Sequence, residues 1–238
     1  MTRKSRSTRG SRRTMTTAAL VVGLAGLSAT DGLTGRMFEV STCEELIALP
    51  TPMSDDTHVV VEGDISCIMT RTVRIAGPHA YLLSSRNASV TFENIRFHVK
   101  DEADFFVALA TEEFQGMATF AGLHRQDRMN PQFSKYSGGS FNVEKGASAT
   151  FGVPVIFRDN FVWPKKRGGA IFNQGHVTFE YSAKFEQNSV KSNDRSGSKD
   201  TLDSSEQFAG CGGAIYNGPG AIATFADVSW FSDNTAGT

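Results

Sequence analysis

Three acidic residues, Asp159, Glu186 and Asp233, recur at similar places in the second half of this 238-residue chain, with Arg158 and Lys184 nearby. Carboxylates gathered in that way could hold calcium, or supply the acid and base of a glycosidase. Turn residues point to water by default, so the same three also read as a solvated acidic ridge. A second group, Trp163, Lys165, Lys166 and Arg167, sets an aromatic anchor beside three cations and suits a binding face. In its plainer reading Trp163 folds back on the protein and the cations are merely solvated. The chain has no C-x-x-C, H-E-x-x-H, G-x-S-x-G or phosphate-loop pattern, and residues 101–104 spell DEAD without such a loop. The five histidines (His58, His79, His98, His124, His176) are scattered without ligand spacing. No catalytic residue, metal or cofactor is expected from these patterns.

Of the three cysteines, Cys43 and Cys67 lie 24 residues apart near the start, where an oxidising compartment would allow a disulfide; Cys211 is the odd one. The compartment is suggested by the leader. Residues 1–30 hold Arg3, Lys4, Arg6, Arg9, Arg12 and Arg13, no acid, and an apolar run over residues 18–29. That arrangement is a secretory signal peptide, with an organelle transit peptide as the alternative. The run is shorter than the roughly 20 residues of a bilayer span, so no transmembrane segment is expected in the mature chain. Asn87 begins the sequon Asn87-Ala88-Ser89, a glycan acceptor only in a eukaryotic secretory route. Without the leader's six cations, 18 basic residues face 25 acids, a net charge of −7 that argues against a nucleic-acid partner.

The elements that must position these residues are announced by Phe, which at 18 residues outnumbers the 11 Leu. Thr-Phe recurs at Phe92, Phe120, Phe151, Phe179 and Phe225. Around the last three the likeness extends to a whole unit. Gly138-Gly139 precedes Phe151, Phe157 and Asn160; Gly168-Gly169 precedes Phe179, Phe185 and Asn188; Gly212-Gly213 precedes Phe225, Phe231 and Asn234. In every unit the second Phe lies six residues after the first, and the Asn three further on.

Each unit reads as three short strands parted by turns, too short to be stable unless stacked on copies of itself. Stacking in register makes three parallel ribbons, with Phe151, Phe179 and Phe225 as one inward column and Phe157, Phe185 and Phe231 as another. The Gly-Gly steps supply sharp corners, and Asn160, Asn188 and Asn234 supply left-handed turns with an amide ladder. The fold class expected is all-β, a right-handed parallel β-helix with a short N-terminal capping helix. In the first half, residues 38–49 predict a strand and then that helix, with Ser41 and Glu44 as a capping box. Residues 59–61, 73–75, 80–83 and 90–92 read as further short strands, and residues 106–120 as a degenerate coil. The domains expected are a leader at 1–30, a cap with the first strands at 31–70, and the β-helix coils at 71–238.

Gly-Gly-Ala-Ile at 168–171 and 212–215, alternating with F-x-x-N, resembles the repeat of chlamydial polymorphic outer-membrane proteins and of related pectin-lyase-like β-helix proteins. The resemblance covers residues 138–238, and the first unit departs from it with Gly-Gly-Ser-Phe. It implies a secreted or surface-exposed β-helix that binds, adheres or serves as a structural module, without catalysis. The alternative is a carbohydrate-processing enzyme, pectate-lyase-like or polygalacturonase-like. The expected partner is a surface protein or a polysaccharide.

Residues 122–137, 161–167 and 189–211 vary in length and fall at one point of the repeat, so they should emerge from one side, as the binding loops of solenoids do. The longest reads as a mobile loop, and removal of residues 189–206 is expected to leave thermal stability nearly unchanged. The last residues hold no cap, which leaves an open strand edge: either the natural chain continues, or a partner chain covers it.

Overall fold

The computed structural model describes residues 36–49, 57–61, 63–75, 80–85, 89–100, 102–107, 116–122, 137–162, 166–190 and 211–236, all inside a unit spanning Thr34–Thr238. The leader, Asn87, Trp163 and Lys165 lie outside these residues. Among the described residues the protein is all-β apart from one short helix, and every strand pairing is parallel.

Strand β1 (Arg36–Val40) leads into helix α1 (Cys43–Ala48). Its capping box lies one residue beyond the expected Ser41 and Glu44. Thr42 is the N-cap and its hydroxyl accepts from the Glu45 amide at 3.2 Å. The Glu45 carboxylate accepts from the amides of Ser41 and Thr42 at 2.8 and 3.2 Å. Both pairs of residues have the required spacing, and the register adopted lets one carboxylate take two amides at once. The Ser41 amide foremost, then its hydroxyl, hold the Glu45 carboxyl below its ordinary range. A depressed folded-state value contributes stability above the ordinary Glu range that is lost as pH falls through the lowered one. Cys43 and Leu46 of α1 pack on the core, Leu49 is buried, and a disulfide joins Cys43 to the fully buried Cys67.

The chain continues through β2 (Thr57–Val61), β3 (Ile65–Ile75), β4 (Ala80–Ser85), β5 (Ser89–Val99), β6 (Asp104–Val107) and β7 (Met117–Ala121). Two of these are eleven residues long rather than the short pieces expected, and β3 runs without a break through residue 70, where cap and coils were to divide. The first repeat unit then gives β8 (Phe141–Val143), β9 (Ser148–Phe151), β10 (Val155–Arg158) and β11 (Phe161–Val162). The second gives β12 (Ile171–Asn173), β13 (His176–Phe179), β14 (Ala183–Glu186) and β15 (Ser189–Val190). The third gives β16 (Ile215–Asn217), β17 (Ile222–Phe225) and β18 (Ser229–Ser232).

These strands form three sheets. One has the order β1-β2-β4-β6-β9-β13-β17, and another runs β16-β12-β8-β5-β7-β10-β14-β18 with β3 beside β5. Strand β5 joins the two halves of that second sheet, because residues 89–93 pair with β7 and residues 97–99 with β8. It does in one continuous strand what each later unit does with two. The third sheet, β11-β15, is absent from the sequence expectation, which placed its residues in loops.

Inward residues stack on their equivalents. Phe151, Phe179 and Phe225 form one column with ring centroids 4.9 and 4.8 Å apart. Phe157, Phe185 and Phe231 form the second, at 4.9 and 4.8 Å. The second column extends backward through Phe120 and Phe92, at 5.1 and 5.4 Å. The Thr-Phe recurrence therefore mixes two registers: Phe120 pairs with Phe157, not with Phe151, whose partner in β6 is Val107. Between columns the rings meet edge to face, Phe151 on Phe157 at 87° and Phe179 on Phe185 at 90°, the arrangement favoured by the aromatic quadrupole. Phe157 touches rings above, below and beside it, so truncation leaves a cavity that no single neighbour can fill. Phe157→Ala is expected to lower unfolding free energy by about 3–5 kcal/mol, read by urea denaturation followed by circular dichroism.

Candidate binding face

The three variable segments leave and re-enter the sheets at equivalent positions, between β7 and β8, β11 and β12, and β15 and β16. In β5 the same place is bridged by residues 94–96 of an unbroken strand. Both roots of each segment are fixed by contacts between successive units.

The leaving side is held by the asparagines. Asn160 and Asn188 are fully buried. The Asn188 side-chain oxygen accepts from the Asn160 amide and side-chain nitrogen at 3.1 and 2.9 Å, and the Asn234 oxygen accepts likewise from Asn188 at 3.0 and 2.8 Å. Each side-chain nitrogen also donates to the carbonyl of Phe120, Phe157 or Phe185. The left-handed residue is the one before each Asn rather than the Asn itself: Asp159, Gln187 and Asp233 have φ of 54°, 55° and 53°. The sharp bend there turns the amide inward, where the ladder needs it. Ser140, the residue that breaks the Gly-Gly-Ala pattern, is buried and its hydroxyl donates to the Asn160 oxygen. The preceding unit carries Leu123 after Gly122 and brings no amide, so Ser140 supplies the donor that ends the ladder.

The returning side is held by the glycine pairs. Gly168 has φ +68° and a Cβ there would lie 2.0 Å from the Ile171 carbonyl oxygen. At Gly169 a Cβ would lie 1.9 Å from the Gly213 oxygen, so the pair combines a left-handed bend with close backbone approach. Gly138-Gly139 and Gly212-Gly213 are built alike. The roots stack directly: Gly138 N donates to Arg167 O at 2.9 Å, and Gly168 N to Cys211 O at 3.1 Å. Arg96 of β5 is fully buried and its Nε donates to Gly138 O at 2.6 Å.

Beside the returning roots runs a row that the sequence reading missed: His98 and Asn142, both buried, then Phe172 and Tyr216, half-buried, in register across β5, β8, β12 and β16. The last three occupy the same place in their units, one residue before Val143, Asn173 and Asn217, which is the signal that could have found them. His98 Nε2 lies 2.6 Å from the Glu144 carboxylate, and Phe172 stacks on Tyr216 at 5.5 Å. Arg167 Nη1 donates to the Tyr216 hydroxyl at 3.3 Å, with its guanidinium 5.1 Å from the ring centre. Arg167 is thus bound to this row, and Lys166 is half-buried beside it. Inward, Asn173 starts a second amide ladder, donating to Asn217 Oδ1 and to Ile222 O at 2.9 Å.

The acidic trio does not form one row. Asp159 aligns with Gln187 and Asp233, whereas Glu186 pairs with Arg158 and Ser232 one position earlier. Asp159 and Asp233 are exposed, and Glu186 is engaged by Lys184 at 2.6 Å. Among the described residues no three His, Cys, Asp or Glu side chains are placed to hold a metal ion, and no helix is long and apolar enough to cross a membrane.

The ladder and the loop have opposite mutational consequences. Asn188→Ala removes two donors and an acceptor from a buried site, leaving the Asn160 amide without its partner. A loss of about 2–4 kcal/mol is expected in chemical denaturation. The loop boundary moves, because Ser189 and Val190 are strand β15. Excision of residues 192–206 is expected to shift the thermal midpoint by less than about 3 °C, while a deletion starting at Ser189 lowers it by more. No known family model, no curated protein and no solved structure matches the chain, so its function is argued from this geometry.

Proposed function

We propose that the sheets are the faces of one right-handed parallel β-helix, and that the chain is a secreted or surface-exposed binding module without catalysis. The β-helix reading is supported by the wholly parallel pairing among the described strands and by the way each repeat unit adds, in chain order, one strand to the first sheet and one to each arm of the second. The likeness to the repeats of chlamydial polymorphic outer-membrane proteins supports it further, as does the basic, then apolar, leader for export.

One observation carries the binding reading: all three variable segments are rooted at the same junction, beside the Phe172–Tyr216 pair and Arg167. Solenoids bear their binding loops in this way, on a face whose scaffold is indifferent to loop length. Phe172, Tyr216 and Arg167 offer flat surfaces for sugar rings, and Lys165 and Lys166 add charge suited to a polyanion, so an acidic polysaccharide on a cell surface is the partner proposed. A lyase or hydrolase would need carboxylates that converge; Asp159 and Asp233 stand either side of Gln187, and Glu186 is held by Lys184.

Affinity electrophoresis through gels containing polygalacturonate or heparin tests the reading. The wild-type chain should be retarded, and Lys165→Glu/Lys166→Glu should lose most of that retardation with its thermal midpoint unchanged. Equal mobility of the two proteins would remove this face from consideration. Release of unsaturated uronate in the presence of calcium should stay at background, and turnover above it would overturn the non-catalytic reading.

A further inference from the structure

Four asparagines among the described residues are buried, and three of them use both ends of the carboxamide. The oxygens of Asn160, Asn173 and Asn188 accept from Ser140, Gly175 and Asn160, and their nitrogens donate to Asn188, Asn217 and Asn234. Asn142 is the exception. It is 9% exposed, and its Oδ1 is buried without a hydrogen-bond partner. A buried acceptor in that state weakens a fold, and native chains keep few of them.

The scaffold does not require an asparagine there. Phe141 and Val143 on either side of it lie in the core, so Asn142 leaves the opposite face of β8. The equivalent residues of the next two units are Phe172 and Tyr216, which stack at 5.5 Å and 5°. Asn142 thus stands where the same architecture accepts an aromatic ring. Its neighbours in register are His98, engaged by Glu144 at 2.6 Å, and Phe172, whose face away from Tyr216 is turned toward β8.

We propose that Asn142 is a hydroxyl-reading position of the binding face, where its carboxamide oxygen accepts from a ring hydroxyl of a sugar set beside Phe172. The inference rests on the polysaccharide reading above and adds which groups of the polymer are recognised. The carboxylates of an acidic polysaccharide only accept hydrogen bonds, so they answer Lys166 and Arg167 and have nothing to give an unpartnered oxygen. A ring hydroxyl donates. No hydrogen bond among the described residues holds the Asn142 carboxamide, and its last torsion is soft, so it can turn to meet a donor arriving from outside the sheet. Phe172 is one strand spacing, about 4.8 Å, from Asn142 and from Tyr216. The hydroxyl contact and the Arg167–Tyr216 pair therefore lie about 10 Å apart along the row, within the reach of two linked sugar rings. A site of this kind rejects a ligand lacking the hydroxyl, because its buried polar group then stays unpaired.

Affinity electrophoresis of the full 238-residue chain tests it, in gels containing polygalacturonate or the same polymer with its ring hydroxyls acetylated. The wild-type chain should bind the acetylated polymer at least about tenfold more weakly. Asn142→Leu keeps the shape and removes the oxygen. It should bind polygalacturonate about tenfold more weakly than wild type and no longer distinguish the two polymers, with its thermal midpoint unchanged or raised. If Asn142→Leu fails to fold, Asn142→Ala carries the same expectation. Retardation of the variant equal to wild type, or weakened by the same factor in both gels, overturns the inference and leaves the polysaccharide reading in place. So does a wild-type chain indifferent to acetylation. A wild-type chain retarded in neither gel removes the polysaccharide reading, and this inference with it.

Discussion

A phenylalanine ring stacked face to face on its own counterpart is satisfied only by a neighbour in the same register, and that demand governs the rest of this molecule. Strands of three or four residues have too few hydrogen bonds to choose their pairing, and a slip of one position turns every buried side chain to water. The two columns remove the ambiguity. Phe157 and Phe185 lie 4.9 Å apart and nearly parallel, at 3°, and a slip of one position would set the Phe157 ring against Lys184 or Glu186. The six-residue interval from Phe151 to Phe157 is then fixed as well, because the columns also meet edge to face. A turn of different length between β9 and β10 would place one column correctly only by misplacing the other.

Register fixed in this way makes polar residues usable in the interior. A buried carboxamide is costly alone, yet Asn160 and Asn188 repeat at the strand spacing and each satisfies the next. The ladder then brings the chain to a defined exit, and the glycine pairs bring it back through backbone contacts that no side chain could share. Between two such roots the chain can vary from seven residues to more than twenty without reporting its length to the sheets. The turns between β9 and β10, β13 and β14, and β17 and β18 are all three residues long, because they have to preserve the interval between columns.

How much of this could be read from residues depends on which contacts repeat. The columns at Phe151 and Phe157 and the Asn positions each involve one residue type at a fixed interval, the Gly-Gly corners recur in every unit, and they were legible. Strands β11 and β15 were not, because they share only a buried valine, Val162 and Val190, at the end of segments that otherwise differ. The left-handed bend was assigned to Asn, the residue type that most tolerates it, but burial needs the amide inside and moves the bend to Asp159 and Gln187. The Thr-Phe recurrence does not reveal that Phe92 and Phe120 belong to the second column, because Thr precedes them as it precedes Phe151 of the first. Identity of a neighbour is weaker information than the residue three positions on, and neither has the F-x-x-N asparagine. The row at Tyr216 was overlooked since its members, His98, Asn142, Phe172 and Tyr216, share a position and not a chemistry.

A structure whose every level is a template for the next has no internal reason to stop. Each unit is satisfied above and below by the same columns and ladders, so the ends must be settled by residues foreign to the repeat. Around the first described strand such residues are present: a capped helix, the exposed Glu39 of β1 and a disulfide. At Ser140 one ladder is closed by a hydroxyl in place of an amide, a smaller instance of the same solution. The strands β16, β17 and β18 keep the repeat intact to their outer edge, with Phe225 and Phe231 still in column.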